Sequence, residues 1–308
     1  IYALRKALGD DRRCSPYIAT VPRRGYRFTA MVRRANDTRE TRNSPPVRTI
    51  AVLPFKPLGC AAAESHLELG LADALITRLS NTGRIVVRPT SAIVKYSTPN
   101  SDALVAGREL DVDALLDGRL QRVGDRVRIT VQFLRLSDGA PLWAESFDEQ
   151  FTNILAVQNI ISEKVAYALT LKLTETERQR LTKRYTENTK AFEAYLKGRY
   201  FWNKRESESL KKAIGYFEQA IELDPLFALA YAGIADCYII LGTPQSTLMG
   251  KNGEDYQSRA RVAAQKALEI DETLAEAHAS LGASLAPYDD VAAHQEFDRA
   301  IELNPNYA

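Results

Sequence analysis

Among side chains that could do chemistry, the arginines stand out by number and position. Arg5, Lys6, Arg12, Arg13, Arg23, Arg24 and Arg27 all fall within the first 27 residues. Residues 1–48 carry 12 Lys and Arg against 4 Asp and Glu, a charge of +8, and the remaining 260 carry 29 against 35, or −6. A chain close to neutral that places its positive charge at one end points to an acidic partner for that end. The chemistry on offer there is phosphate recognition. Catalytic patterns are missing. His66, His278 and His294 are too far apart to suggest a metal site. Asp111, Asp113 and Asp117 cluster around a strand start, where capping and solvation account for them better than a metal does. Ser65 beside His66 has no third partner in view. Neither a Walker-type loop nor a glycine-rich dinucleotide turn follows any strand. The sequence reads as a non-enzyme without cofactor or metal.

The basic residues need elements to position them. Ile1, Leu4 and Leu8 form one helical stripe, with Arg5 and Lys6 off it and Gly9-Asp10-Asp11 ending the helix. Tyr17–Val21 and Tyr26–Val32 read as strands joined by Pro22-Arg23-Arg24-Gly25. On the second strand Tyr26, Phe28, Ala30 and Val32 share one face, and Arg27, Thr29 and Arg33 take the other. A helix followed by a hairpin with arginines at its tip suits the DNA backbone, with the tip reaching a minor groove of high negative potential.

The run LRKAL followed by PYIATVPRRGYRF resembles the winged-helix domain of the OmpR/PhoB response-regulator class. The PxRGY form is more like the ToxR and CadC branch. This resemblance covers residues 1–32 and implies double-stranded DNA as partner. It places Arg5 and Lys6 near the end of a recognition helix, Thr20 against a phosphate, and Arg23, Arg24 and Arg27 in the wing. The helix-turn-helix core of that class is missing here, and the chain opens on Ile1 and stops inside a repeat, so it reads as a fragment. Paired half-sites, and hence a homodimer, follow by analogy.

Residues 34–48 are polar, charged and proline-containing, and read as a linker. From Thr49 the texture changes. Ile50–Phe55 is an apolar run suited to a buried strand. Leu67, Leu71, Leu75 and Leu79 stripe a helix over Glu64–Asn81. A strand follows at Arg84–Arg88 and a helix at Asp102–Leu110. Strands at Ala114–Val123, Arg126–Leu136 and Pro141–Phe147 are punctuated by Gly124-Asp125 and Ser137-Asp138-Gly139. A helix from Asn153 to about Leu173 completes an α/β domain with a mixed sheet, in which Trp143 belongs to the core. The segments IAVLPF, LELGLADALITRLS and RELDVDALLDGRLQRVGDRVRITVQFL resemble the TolB amino-terminal-like domain over residues 49–172. That domain sits between a winged helix, or a cyclase domain, and repeats in many bacterial regulators.

Beyond it the chain repeats itself. FEQAIELDP (Phe217, Ala220, Pro225) recurs as FDRAIELNP (Phe297, Ala300, Pro305), with a weaker copy in AAQKALEIDE. Ala220 and Ala267 lie 47 residues apart and Ala267 and Ala300 lie 33, so the second unit carries an insertion over Thr243–Tyr256. These units resemble the tetratricopeptide repeat, a pair of helices stacking into a solenoid that binds a protein or peptide. Arg199, Asn203 and Lys204 are candidates for its groove. Leu226–Gly242 is apolar but short for a bilayer and interrupted by Asp236, so it reads as a buried helix. Three scattered cysteines suit a reducing compartment.

The organisation expected is thus multidomain: a partial winged helix (α+β) at 1–33, a linker at 34–48, an α/β domain at 49–175 and an all-α repeat solenoid at 176–308. The leading functional reading is a cytoplasmic DNA-binding transcriptional regulator. A non-enzymatic repeat scaffold and the regulatory part of a nucleotide cyclase are the alternatives.

Overall fold

The computed structural model describes residues 18–21, 25–28, 47–58, 65–98, 101–169, 173–243 and 253–306. The chain divides into two units, Ile1–Pro46 and Val47–Ala308. In the first, β1 (Ile18–Val21) and β2 (Gly25–Phe28) pair antiparallel, with Ile18 opposite Phe28 and Val21 opposite Gly25. The hairpin expected from the sequence is therefore present. The expected helix before it, the tip between its strands and the linker up to residue 46 lie outside the described residues.

The second unit is built on a mixed sheet. Strand β3 (Thr49–Val52) runs parallel to β5 (Val86–Val87) on one side and to β6 (Ala114–Val123) on the other. Strands β6, β7 (Arg126–Arg135) and β8 (Pro141–Gln150) form an antiparallel meander, and the short β4 (Lys56–Pro57) adds to β6. Gly124 and Gly139 adopt φ of +59° and +67° at the two meander turns, a conformation glycine enters without strain. Along β7, Val127, Ile129, Val131 and Phe133 are buried while Arg126, Arg128 and Thr130 are exposed, the alternation of a sheet covered on one face. β8 continues to Gln150, three residues past the sequence expectation. Asp148 bridges to Arg126 and Arg128 across the ladder, so charged residues that resemble a loop are held as strand.

Helix α1 (Ser65–Ser80) and helix α4 (Ile154–Ala168) lie together on the sheet, α1 against β3 and β5 and α4 against β8. The four-residue α2 (Thr90–Ile93) packs on α1, and the helix α3 (Ala103–Glu109) packs on β6, capped by Asp102, whose carboxylate accepts from the amides of Leu104 and Val105. Leu67, Leu71, Leu75 and Leu79 are at most 1% exposed, as the stripe predicts. Glu68, Asp73, Arg78 and Ser80 are buried too, because a second helical layer covers the opposite side of α1.

That layer runs through α5 (Glu175–Thr182), α6 (Thr189–Trp202), α7 (Ser207–Leu223), α8 (Ala228–Leu241), α9 (Gly253–Ile270), α10 (Ala275–Leu285) and α11 (Asp290–Leu303). From α6 onward each helix packs on the next, and α6 also packs on α1. Helix α5 escapes the sequence reading because Leu181 is its one apolar residue, too few to set a period. A reciprocal capping box between Thr174 and Glu177 starts it. The expected insertion is shorter than drawn, since Gly253–Tyr256 already belong to α9. Val47–Ala308 is one compact unit, and the expected boundary at 175/176 falls inside the first turn of α5. Phe217 anchors the first helix pair, fully buried with Tyr195 at 5.7 Å between ring centroids. No helix among the described residues is long and apolar enough to cross a membrane, and Leu226–Gly242 is largely the buried α8.

The approach of α6 to α7 is allowed only by a missing side chain. A Cβ on Gly198 would stand 2.4 Å from the ring of Phe217, whereas one on Gly215 would meet nothing. Gly198→Ala is therefore expected to destabilise the unit by about 1–3 kcal/mol through overpacking. Gly215→Ala, mid-helix and unobstructed, should add roughly 0.5–1 kcal/mol. Thermal melts read both, and equal shifts in the two variants would contradict this packing.

Candidate functional site

Of the residues expected to touch DNA, Thr20 stands in β1 opposite Tyr26, and Arg27 stands in β2 opposite Ala19, on adjacent rungs of the hairpin. Arg5, Lys6, Arg23 and Arg24 lie outside the described residues, as do the side chains of Thr20 and Arg27.

Within the second unit, charge is concentrated at the seam between α1 and the helical array. Arg199 of α6 reaches into it and grips Asp73 of α1 in two-pronged fashion, Nε to Oδ2 at 2.7 Å and Nη2 to Oδ1 at 3.0 Å. The Thr90 hydroxyl donates to the same Oδ1 at 2.6 Å. Nη1 of Arg199 lies 3.9 Å from Asp236 on α8, which accepts from the Ser280 hydroxyl of α10. The indole of Trp202 lies against the guanidinium at 4.2 Å. Asp73 is 1% exposed. Burial works against the Arg199 charge, but Asp73, at hydrogen-bond distance, more than offsets it and holds the guanidinium protonated. Burial raises the Asp236 carboxyl, with Ser280 and Arg199 pulling it back.

This corrects the sequence reading of Arg199 as a groove residue. Its partner was already inside the chain. Asn203 is likewise turned inward, donating to the Arg199 carbonyl at 2.9 Å. Lys204 is exposed, 4.7 Å above the ring of Tyr200. The missed residue is Asp73, and its signal was present: an acid at the centre of LELGLADALITRLS, where apolar residues occupy the helix on both sides.

Glu276, in the first turn of α10, is 7% exposed, and neither carboxylate oxygen has a partner from another residue. Burial pushes its carboxyl up to about 7. Its own amide and Arg199 oppose the rise, and Asp236 and Asp271 add to it.

The other candidates serve structure. Asp113 accepts from the amides of Arg48 and Thr49 and from the Thr49 hydroxyl at 2.8–2.9 Å, tying β3 to the start of β6. Burial opposes its charge, yet those donors hold it below the usual carboxylate range. Asp117 accepts from Gln132 at 3.0 Å and lies 3.6 Å from Lys56. Trp143 packs half-buried against the core and donates to Glu145 at 3.2 Å. His278 lies between Glu296 (2.6 Å) and the Glu272 carbonyl (3.0 Å). Burial pushes the Cys237 thiol up, away from reactivity. Among the described residues no group of three or more His, Cys, Asp or Glu is arranged to hold a metal ion.

Comparison with known proteins places a family on the sheet layer. Residues 47–164 match a transcriptional-regulator family. Its description is HilA/YgeH-like transcriptional regulator, second domain. The matched range coincides closely with the segment that resembles the TolB amino-terminal-like domain. A protein of Rhizobium meliloti (strain 1021) named putative adenylate cyclase 3 is 29% identical over 242 residues, 79% of this chain. The chain spans about two fifths of that relative, 41% of its length. Among solved structures, TolB from Acinetobacter baumannii aligns over 40% of this chain and 28% of its own, at 17% identity and a TM-score of 0.31. Lipoprotein GNA1162 from Neisseria meningitidis aligns over 42% of this chain and all of its own, at 16% identity and a TM-score of 0.29. Both likenesses are too slight to bear on fold or function.

Two measurements test the seam. Asp73→Ala should cost about 3–5 kcal/mol in chemical denaturation, because Arg199 is left buried without its counter-charge. Asp73→Leu with Arg199→Met should recover most of that loss, and additive losses in the double variant would show that the pair is not coupled. For Glu276, the folded state holds a proton that the unfolded chain releases near the ordinary glutamate value of 4.5. Its contribution is intact below that pH and is lost as pH rises through about 7. Glu276→Gln should therefore gain on the parent by about 3 kcal/mol between pH 4 and pH 8. A pH-independent difference between the two proteins would contradict this.

Proposed function

We propose that this chain belongs to a transcriptional regulator whose basic N-terminal segment binds double-stranded DNA and whose helical array connects that binding to a protein or peptide signal. The observation that carries the reading is the family match over residues 47–164, directly after a segment of charge +8. The β1–β2 hairpin supports it, since a two-stranded wing is what the PYIATVPRRGYRF resemblance implies. In this reading Arg23, Arg24 and Arg27 with Thr20 bind backbone phosphates, and Arg5 and Lys6 close the recognition helix. The protein works in the cytoplasm as a pair of copies on paired half-sites. The array resembles tetratricopeptide repeats in sequence and is the part that receives the signal.

A second reading has its own support in the relative named putative adenylate cyclase 3: this region would then be the regulatory part of a nucleotide cyclase. The two part company on the intact gene product. DNA binding there should weaken with salt by close to 0.9 logarithmic units per neutralised phosphate. Arg23→Ala with Arg24→Ala should weaken binding to all sequences alike and lower the salt slope by about 2. An unchanged slope would remove the wing from the interface. Cyclic-nucleotide production from ATP by the intact product, without DNA binding, would favour the second reading.

A further inference from the structure

We propose that the seam between α1, α4 and α6 binds one small monovalent anion, of chloride size, beside Arg78. Arg78 sits in the last turn of α1 and is 5% exposed. One of its nitrogens donates to the Asn159 side-chain carbonyl. Among the described residues no carboxylate pairs with it. A guanidinium taken out of water without a counter-charge is costly, and the structure normally supplies one. Here the charge it meets is a second cation, Arg184, whose own partner Glu187 is exposed at 2.8 Å. Burial draws the Arg78 guanidinium down to about 10, with Tyr185 opposing the fall and Arg184 adding to it.

Next to Arg78 is a cavity of about 20 Å³, bordered also by Thr77, Gln158, Tyr185 and Tyr195. A single water needs roughly 10–15 Å³, so the space takes one particle of that order and excludes phosphate esters and nucleotides. Apolar side chains make up most of its wall, and Arg78, Thr77 and Tyr185 are among the bordering residues that carry donors. Gln158 is 1% exposed and its Oε1 has no partner. Turning that amide would put its NH2 group where the oxygen stands, a donor that an anion beside Gln158 could accept from. The anion would neutralise Arg78 between the sheet layer and the array, a role independent of what the N-terminal segment binds.

The test uses the full chain in sodium gluconate, whose anion is too large to enter, replaced stepwise by chloride at fixed ionic strength. Chlorine NMR line width and melting temperature are followed. The expected result is saturable broadening with a rising melting temperature, both weakened at least about tenfold in apparent affinity by Arg78→Met. A response that never saturates, or one equal in Arg78→Met, would mean that the cavity holds water and would overturn the proposal. Should Arg78→Met fail to fold, Gln158→Leu decides, expected to lower chloride affinity several-fold. Unchanged affinity in that variant overturns the site.

Discussion

One buried ion pair sets the geometry of the second unit. Asp73 and Arg199 come from residues more than a hundred apart, and their two-pronged contact fixes the rotation of α6 against α1. A pair of this kind is a poor source of net stability, because two desolvated charges recover little more than they lost. What it supplies is uniqueness. If α6 slid by a turn, the guanidinium would be buried without Asp73, and Asp236 would lose its cation. Apolar packing supports the same register: a Cβ on Gly70 would stand 2.9 Å from Leu196, so the two helices meet closely only where one has no side chain. Through Asp236 and Ser280 the constraint passes on to α8 and α10.

The sequence discloses this unit unevenly, for physical reasons. The meander of β6, β7 and β8 is easy to read because alternation, turn glycines and length agree, and the observed bounds of β6 match the expected Ala114–Val123. The leucine stripe of α1 locates the helix within a residue at each end. What that stripe conceals is the second covered side. A single apolar stripe predicts one buried face, yet Glu68, Asp73 and Arg78 are also buried, and only the arrival of α6 makes sense of them. Arg199 was misplaced for the same cause. In a repeat read by itself it stands on a surface, and its acid lies in another segment. Polar elements were under-read as well: α5 and the end of β8 are held by capping and cross-strand charge, which leave no hydrophobic period to detect.

Function is distributed in the opposite way. The proposed recognition chemistry falls in the first segment of the sequence, which holds the paired strands and most of the clustered arginines, and the family match covers residues 47–164, later in the chain. Two buried titratable groups lie in the second unit: Glu276 of α10, its carboxyl raised to about 7, and Arg78 of α1, without a carboxylate partner among the described residues.

The residues after α11 also return to the end of α1. Asn304 donates to the side chain of Asn81 at 2.7 Å, and Asn306 donates to the carbonyls of Ser80 and Ile85 at 3.2 and 2.9 Å. Arg199 holds the same helix near its middle. The array is thus stretched between two fixed points on a rod of 16 residues, about 24 Å long. Helix-pair stacks commonly gain or lose units with little penalty, since each unit sees only its neighbours. This stack lacks that freedom. A pair added or deleted between α7 and α11 would move Asn304 and Asn306 off Ser80, Asn81 and Ile85, so the number of helix pairs between α6 and these contacts is fixed by residues of another layer.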